Sequence, residues 1–408
     1  MLITFLPQIV FLINNFKKDI NRNNNNYKTN YIMKLTILKE KFKKGFQIAE
    51  RATSKSITLP ILNNVLFETE KNFLTLFSTD LEIGIKWWGL AKIEKEGKIL
   101  IPTKLISSLL SFLPEKPILM EKIDTFASLS CENFLSKIKT YNPEEFPIIP
   151  KTETLEYIPI PSEILVRGLK KVINFPSPSA TRPEISGIYF VFSKKSIKLV
   201  ATDSFRLGEI TIFLPKDSFL EKEISVILPQ RAAKEMVSIF GGLAKDLRMY
   251  INPTQFSLES EMEETPHPEI FFVSRLIEGE FPDYQAIIPS KFGTEVILPK
   301  EDFLKQVKAA SVFSGKNNEV KFKINPKEEK IEITSENPEF GSYSSFLKGN
   351  IKGKSLTISF NHRFLIEGID QIEDKEFSFQ LTDEEGPALI KPIGREELIY
   401  ILMPIKAS

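Results

Sequence analysis

The sequence predicts an α+β fold of three repeated domains, each built from two βαβββ-like units. Two observations support this prediction. A short apolar strand that runs directly into an amphipathic helix occurs six times along the chain. A Leu-x-x-Thr-Asp frame, typical of a strand entering a tight polar turn, occurs at 76–80 and 199–203, with a weaker copy at Ile333–Asn337.

Three of the strand-helix pairs open the predicted domains. The first helix is predicted over 40–52. Each helix begins with an acidic residue, Glu40, Glu163 or Glu301, where the helix dipole favours negative charge. The apolar residues at helical spacing are Phe42, Phe46 and Ala49, then Leu165, Leu169 and Val172, then Phe303, Val307 and Ala310.

The other three pairs fall in the middle of the predicted domains. Proline stands near several of these helix starts, where its missing N–H costs nothing. The predicted helices are 104–112, 230–240 and 361–369. The resulting domain boundaries are 33–152, 153–289 and 290–408.

The composition is that of an ordinary globular protein. The chain has 408 residues and a net charge of +1, so polyanion binding requires local basic faces. The single cysteine, Cys131, excludes an internal disulfide and fits a reducing compartment. Two histidines, His267 and His362, are too few and too far apart for a histidine-built metal site. The sequence therefore predicts no metal and no cofactor.

Residues 1–32 differ from the rest of the chain. Met1–Ile13 is mostly apolar, and Asn21–Asn26 is polar and low in complexity. The apolar run is too short to span a bilayer and lacks the features of a secretory signal. We expect a disordered extension or a start assigned upstream of Met33, with a membrane tether as the alternative.

The polar faces of the six predicted helices are mostly basic. One such face is usually only solvated, but six in register indicate a protein that contacts a phosphate backbone without reading bases. If the units surround an axis, these faces converge, and unlike chain ends pair head to tail into a closed ring when the rotation fits. The basic residues include Lys44, Lys104, Arg167, Lys170, Lys171, Arg231, Lys234, Lys305, Lys308 and Arg363.

Five motifs together resemble those of the bacterial DNA polymerase III beta subunit family, the DNA sliding clamps. They stand in the family's order, and the resemblance runs from Met33 to about Lys406, which leaves residues 1–32 without a counterpart. The motifs are Thr58–Asn64, Ser78–Glu82, Ala201–Leu207, Phe281–Tyr284 and Tyr400–Ile405.

The resemblance implies a non-catalytic protein of replication. It implies three clamp domains per chain, with helices lining a central channel and sheets outside. Two copies close a head-to-tail ring around duplex DNA and give the replicative polymerase processivity, in the cytoplasm with the nucleoid. The implied partners are double-stranded DNA, a second copy, the replicative polymerase alpha subunit, a clamp-loader ATPase, and repair polymerases, ligase or mismatch-repair proteins that dock by short peptides.

The resemblance also implies a peptide-binding pocket. Its apolar surfaces take a hydrophobic anchor, and polar atoms at Thr202 and Arg206 orient it. Phe205 stands where the family often has His or Tyr, so the rim becomes more apolar. The implied pocket residues are Arg182, Ile185, Thr202, Ser204, Phe205, Arg206, Leu207, Pro282, Ile287, Pro387, Met403, Pro404 and Ile405.

Two further sites follow from the resemblance. A loop arginine that touches DNA in the family is Ser56 here, which makes Lys55 the substitute candidate. The dimer interface is expected to join the edge strand near Ile138 to the helix end at Val312 and Phe313.

Two other classes of function remain open. A metal-dependent phosphoryl-transfer enzyme would use Asp80 and Asp203 as paired carboxylates. These two residues belong to different repeats, and an Asp after Thr hydrogen-bonds its own turn more simply. A scaffold that forms no ring would bind peptides but not DNA, and the basic helix faces count against it.

Overall fold

The computed structural model describes the chain in four stretches: 31–54, 58–148, 156–179 and 181–406. The described residues divide into two compact units, which fall within Met1–Lys151 with Glu261–Phe272, and within Thr152–Ser260 with Val273–Ser408. The expected extension up to residue 30 and the candidate Lys55 lie outside the described residues. No helix in the described part is long and apolar enough to cross a membrane.

The first unit contains the first repeat, in which helices α1 (Lys39–Ala49) and α2 (Thr103–Phe112) pack together. Its strands are β1 (Met33–Leu38), β2 (Asn64–Glu70), β3 (Phe73–Thr79), β4 (Ile83–Leu90), β5 (Lys92–Lys95), β6 (Lys98–Pro102), β7 (Pro117–Ile123), β8 (Phe126–Cys131) and β9 (Phe134–Lys139). One sheet runs β5-β1-β7-β8-β9, and β4-β3-β2-β6 are neighbours in another.

The second repeat has helices α3 (Ser162–Val172) and α4 (Gln230–Phe240), which again pack together. Its strands are β10 (Ile158–Pro161), β11 (Gly187–Phe192), β12 (Ser196–Thr202), β13 (Arg206–Phe213), β14 (Ile224–Pro229), β15 (Asp246–Ile251), β16 (Gln255–Glu261) and β17 (Pro268–Arg275). The chain passes from one unit to the other within β16 and β17.

The third repeat pairs helices α5 (Lys300–Ser311) and α6 (His362–Asp370). Its strands are β18 (Thr294–Pro299), β19 (Glu319–Asn325), β20 (Lys330–Asn337), β21 (Gly341–Lys348), β22 (Asn350–Gly353), β23 (Leu356–Asn361), β24 (Glu376–Leu381), β25 (Ala388–Pro392) and β26 (Leu398–Leu402). One sheet, in the order β14-β11-β12-β13-β26-β25-β24-β18-β22, joins the second and third repeats, and β21-β20-β19-β23 form another.

Four of the six helices among the described residues begin in the same way. A proline at the N-cap closes the preceding strand with an extended backbone and lets the helix begin without losing an N–H bond. This happens at Pro102, Pro161, Pro229 and Pro299. Before α6, the side chain of Asn361 instead accepts a hydrogen bond from the backbone N–H of Arg363 at 3.0 Å.

The predicted helix core is confirmed. All nine apolar residues that the helical spacing selected in the opening helices are buried. Each large side chain contributes roughly 1.5–3 kcal/mol by leaving water. The first helix is shorter than the predicted 40–52, because α1 ends at Ala49 and a 3₁₀ turn covers Glu50–Ala52. The Thr53 hydroxyl donates to the carbonyl of Glu50 at 2.7 Å and closes that turn.

Candidate functional site

A tight turn between β12 and β13 forms the centre of the candidate site. The Thr202 hydroxyl donates to the carbonyl of Arg206 at 2.6 Å and accepts from the N–H of Ser204 at 3.1 Å. The Asp203 carboxylate accepts the N–H groups of Phe205 and Arg206, each at 3.0 Å. Ser204 takes a positive φ of 77°. This bonding fixes the backbone so that Phe205 is exposed and Arg206 is buried.

The Arg206 guanidinium is bonded on three sides. Its Nε donates to Asp203 Oδ2 at 3.0 Å, its Nη2 to the carbonyl of Asn174 at 3.1 Å, and its Nη1 to Glu367. It also lies over the rings of Phe175 and Phe364, at 5.1 and 4.3 Å from their centroids. With 9% of the residue exposed, Arg206 supports the turn from beneath.

Tyr400 lies beside this arginine in the interior. Burial raises the pKa of its phenol well above the ordinary value, although the nearby Arg206 opposes the shift. The phenol therefore stays neutral and donates to the carbonyl of Phe364 at 2.9 Å. The arginine and the tyrosine together join β13, β26 and α6 in one hydrogen-bonded group.

A buried apolar cluster lies where the second and third repeats meet. Phe281 and Ile288 pack against this cluster, which is made of Val200, Leu207, Tyr284, Leu389 and Ile401. Three apolar residues from the segments that meet at this cluster stay exposed: Phe205 by 62%, Ile287 by 49% and Met403 by 37%. The N–H of Met403 donates to the carbonyl of Phe205 at 2.8 Å, which ties two of them together. We call these three residues and the cluster the apolar groove.

The remaining predicted pocket residues surround this groove or support it. Arg182 donates to the Ser204 hydroxyl at 3.0 Å and to Glu184 at 3.1 Å, so it borders the turn. Ile185 is buried in the core, as is Leu207, which already belongs to the cluster of the groove. Pro387 precedes Ala388, which pairs with Leu402 beside Met403. The half-buried residues of the set are Pro282, Pro387, Pro404 and Ile405.

The sequence did not reveal two partners of Arg206. Glu367 and Asn174 are 161 and 32 residues away along the chain. The one local signal at Glu367 is an acidic side chain four residues after Arg363, on a helix predicted to have a basic face.

Most of the predicted basic residues are exposed on the helices. Among them, Lys44 and Lys171 each have a carboxylate partner. Lys44 Nζ lies 3.4 Å from Glu269 Oε1, and Lys171 Nζ lies 2.7 Å from Glu373 Oε1 while also donating to the carbonyl of Gln371. The Lys171 ammonium lowers the pKa of the Glu373 carboxyl. The exposed members are Lys44, Lys104, Arg167, Lys170, Arg231, Lys234, Lys305, Lys308 and Arg363.

The predicted interface residues differ in accessibility. Val312 is exposed just after α5, and Phe313 is half-buried against the ring of Tyr343 at 6.2 Å. Ile138 is buried within its own unit, because it points inward from β9. On the same strand, which is the last of its sheet, the exposed apolar residues are Phe134 and Leu135.

The paired-carboxylate alternative finds no support. Asp80 accepts the N–H groups of Glu82 and Ile83 at 3.0 and 2.8 Å, and Asp203 has the turn role described above. Within the residues that the structure describes, no group of three or more His, Cys, Asp or Glu side chains could hold a metal ion.

Comparison with known proteins finds a matching family model for each of the three repeats. Family models of the DNA polymerase III beta subunit match the N-terminal domain at residues 33–150, the central domain at 160–283 and the C-terminal domain at 285–406. The chain is similar to the beta sliding clamp of Bacillus subtilis, with 25% identity over 388 residues that cover 92% of this chain and 100% of the relative. A Synechocystis beta sliding clamp is 25% identical over 399 residues, covering 92% and 99%.

Two solved structures show the same fold. The DNA polymerase III beta subunit of Thermotoga maritima is 25% identical with a TM-score of 0.84. The sliding clamp of Bartonella birtlesii bound to griselimycin is 26% identical, also with a TM-score of 0.84. Each likeness covers 92% of this chain and 100% of the other. With its three domain models matched in order, the chain belongs to the DNA polymerase III beta subunit family, the sliding clamps, which are non-catalytic processivity factors of DNA replication.

Proposed function

We propose that two copies of this chain pair head to tail and close a ring around duplex DNA, and that the apolar groove docks short peptides of replication proteins. The observation that supports this most is the threefold repeat of paired helices with basic exposed residues, in a chain that matches sliding-clamp domains throughout. The proposed domains are 33–152, 153–289 and 290–408.

The proposed partners follow the family. They are double-stranded DNA, a second copy of the chain, the polymerase alpha subunit, a clamp-loader ATPase, and repair polymerases, ligase or mismatch-repair proteins. The proposed place of action is the cytoplasm, at the nucleoid. The ring is then loaded on DNA, and its partner proteins dock on it, at the place of replication.

The physical basis of sliding is contact with phosphates through exposed Lys and Arg side chains. Such contacts are independent of sequence and weaken as salt rises. A closed ring does not need tight contacts, because it leaves a circular duplex only by opening. Residence time then depends on the interface between copies, and movement along DNA stays easy.

The ring is tested by retention on DNA. We expect a dimeric mass, and retention in high salt on closed circular duplex but not on linear duplex. Lys170→Glu with Lys308→Glu should weaken loading, because two phosphate contacts become repulsive. The matched control is Lys323→Glu, an exposed lysine on β19. A monomer that binds peptide but is lost from circles would indicate the scaffold that forms no ring.

The groove is tested by titration with a clamp-binding peptide of the polymerase alpha subunit. Micromolar binding corresponds to about 8 kcal/mol, so loss of two apolar anchors should be decisive. We expect Phe205→Ala with Met403→Ala to abolish binding. Phe213→Ala is the control, since Phe213 is equally exposed at the far end of β13. Griselimycin, which the Bartonella birtlesii relative binds, is a second probe. Unchanged peptide affinity in the double variant would refute the assignment of this groove.

The interface is tested by sedimentation. Val312 is exposed and apolar at the end of α5. We expect Val312→Asp to shift the equilibrium toward monomer, because a charge would be buried between copies. A dimer as stable as that of the wild type would place the contact elsewhere.

A further inference from the structure

Arg206 reaches from the apolar groove to helix α6 and to the segment that follows helix α3. We infer that Arg206 is a positioning residue that couples peptide docking to the basic face of helix α6 through its ion pair with Glu367. The inference rests on the proposed function, because it concerns the same groove and the same helix face.

On the groove side, the connection is direct. The Asp203 carboxylate binds the Arg206 side chain and, through its other oxygen, the N–H of Phe205. The carbonyl of Phe205 accepts from Met403. Phe205 and Met403, two of the three exposed residues of the groove, are therefore attached to the turn that Arg206 supports. A shift of the guanidinium moves Asp203, and with it the rim.

On the helix side, Arg206 contacts α6 and the segment just after α3, and both helices bear candidate phosphate contacts. Glu367 is four residues after Arg363, so the two side chains share a face of α6. Phe364, beneath the guanidinium, belongs to the same helix. Asn174 and Phe175 follow the end of α3, which carries Arg167 and Lys170.

The charges give the coupling a direction. Glu367 is 44% exposed by its side chain, whereas Arg206 is 9% exposed. A DNA phosphate held at Arg363 repels the Glu367 carboxylate on the same face. The carboxylate then stays with Arg206, which holds the turn and the rim in place. Peptide thus binds more tightly to the DNA-loaded ring, and by reciprocity peptide stabilises the loaded state.

The test compares peptide affinity in two states of the full-length chain. The dissociation constant of the alpha-subunit peptide is measured on the free ring and on the ring loaded on closed circular duplex. We expect binding about fivefold tighter on the loaded wild-type ring. In Glu367→Gln the carboxylate charge is gone, so the two constants should become equal.

Glu68→Gln is the matched control. It breaks the ion pair between Glu68 on β2 and Lys98 on β6 and does not touch the turn or α6, so the fivefold difference should persist. Glu367 is half exposed, and a thermal melt checks that its variant is folded. Equal constants in the two states of the wild type, or a difference retained in Glu367→Gln, would overturn the coupling and leave the proposed groove intact. A wild-type chain that binds no peptide would overturn both.

Discussion

The first and second repeats contain the same turn with different neighbours. In the first, the Thr79 hydroxyl donates to the carbonyl of Ile83 at 2.8 Å and Asp80 accepts two backbone N–H groups. The turn from Thr202 to Arg206 has the same bonds. The third residue, Leu81 or Ser204, has a φ of 77° in both.

The difference lies in the residue that follows the turn. Ile83 is buried as an ordinary core residue, whereas Arg206 in the same place reaches Glu367, Asn174 and Asp203. The Thr-Asp pair therefore predicts a turn and no more. The fourth residue after the threonine, Ile83 or Arg206, determines whether the turn is only structural or also contacts a second repeat.

The largest expected difference between the turns comes from removing the aspartates. Asp203→Ala should cost about 3 kcal/mol, because it also deprives a buried guanidinium of a partner. Asp80→Ala should cost about 1 kcal/mol through the two backbone N–H groups that lose an acceptor. Urea unfolding with hydrogen exchange at each turn measures both. Equal losses would mean that Arg206 does not depend on Asp203.

Removing the threonine hydroxyls should affect both turns alike. Thr79→Val and Thr202→Val each lose one donated and one accepted hydrogen bond at a buried site, for about 1–2 kcal/mol. The same unfolding measurement applies. Only the second variant should also weaken peptide binding. A peptide affinity untouched by Thr202→Val would separate the turn from the groove.

Acid should destabilise helix α6, which Arg206 joins to the second turn, and should leave the first turn unchanged. Burial, with a smaller contribution from Arg363, lowers the pKa of the His362 imidazole at the start of α6. Below about pH 6.5 the unfolded state then holds more protons than the folded state, so stability falls as pH drops through the depressed value. Hydrogen exchange of α6 at about pH 7.5 and about pH 5.5 reports this. His362→Gln should remove the pH dependence; its persistence would assign the effect to another group.

The smallest effects come from glycine at the strained position. Leu81→Gly should stabilise by about 0.5 kcal/mol, because relief of the positive φ slightly exceeds the added chain entropy. Ser204→Gly should be close to neutral, since it also loses the hydrogen bond from Arg182. Thermal melts of the two variants give the comparison. A destabilised Leu81→Gly would show that the Leu81 side chain contributes packing.

The periodic features of the chain could be predicted from the sequence. Local chemistry sets the apolar helix faces, such as that of Phe42 and Phe46, the prolines before the helices and the Thr-Asp turns. Because the domain is repeated, each of these patterns occurs more than once and is easier to recognise. The predicted first helix ran through the short 3₁₀ turn after Ala49, which the hydroxyl and the backbone N–H of Thr53 close at the carbonyl of Glu50.

Properties that depend on distant contacts could not be predicted. The resemblance placed Arg206 as a polar contact of the pocket, but two of its three partners, Glu367 and Asn174, lie in other elements. Leu207 and Ile138 belong to apolar patterns that look alike whether a residue ends in the core or at a surface. Lys171 resembles Lys170 in sequence, and only the fold brings Glu373 beside one of them.

The pairing of Lys171 with Glu373 has a consequence for thermodynamics in salt. A lysine that already has a carboxylate partner displaces few counterions when it meets a phosphate. On a loaded ring, the slope of log DNA affinity against log salt concentration should therefore be shallower than the number of cationic side chains on the helices predicts. Glu373→Gln, which frees Lys171, should make this slope steeper.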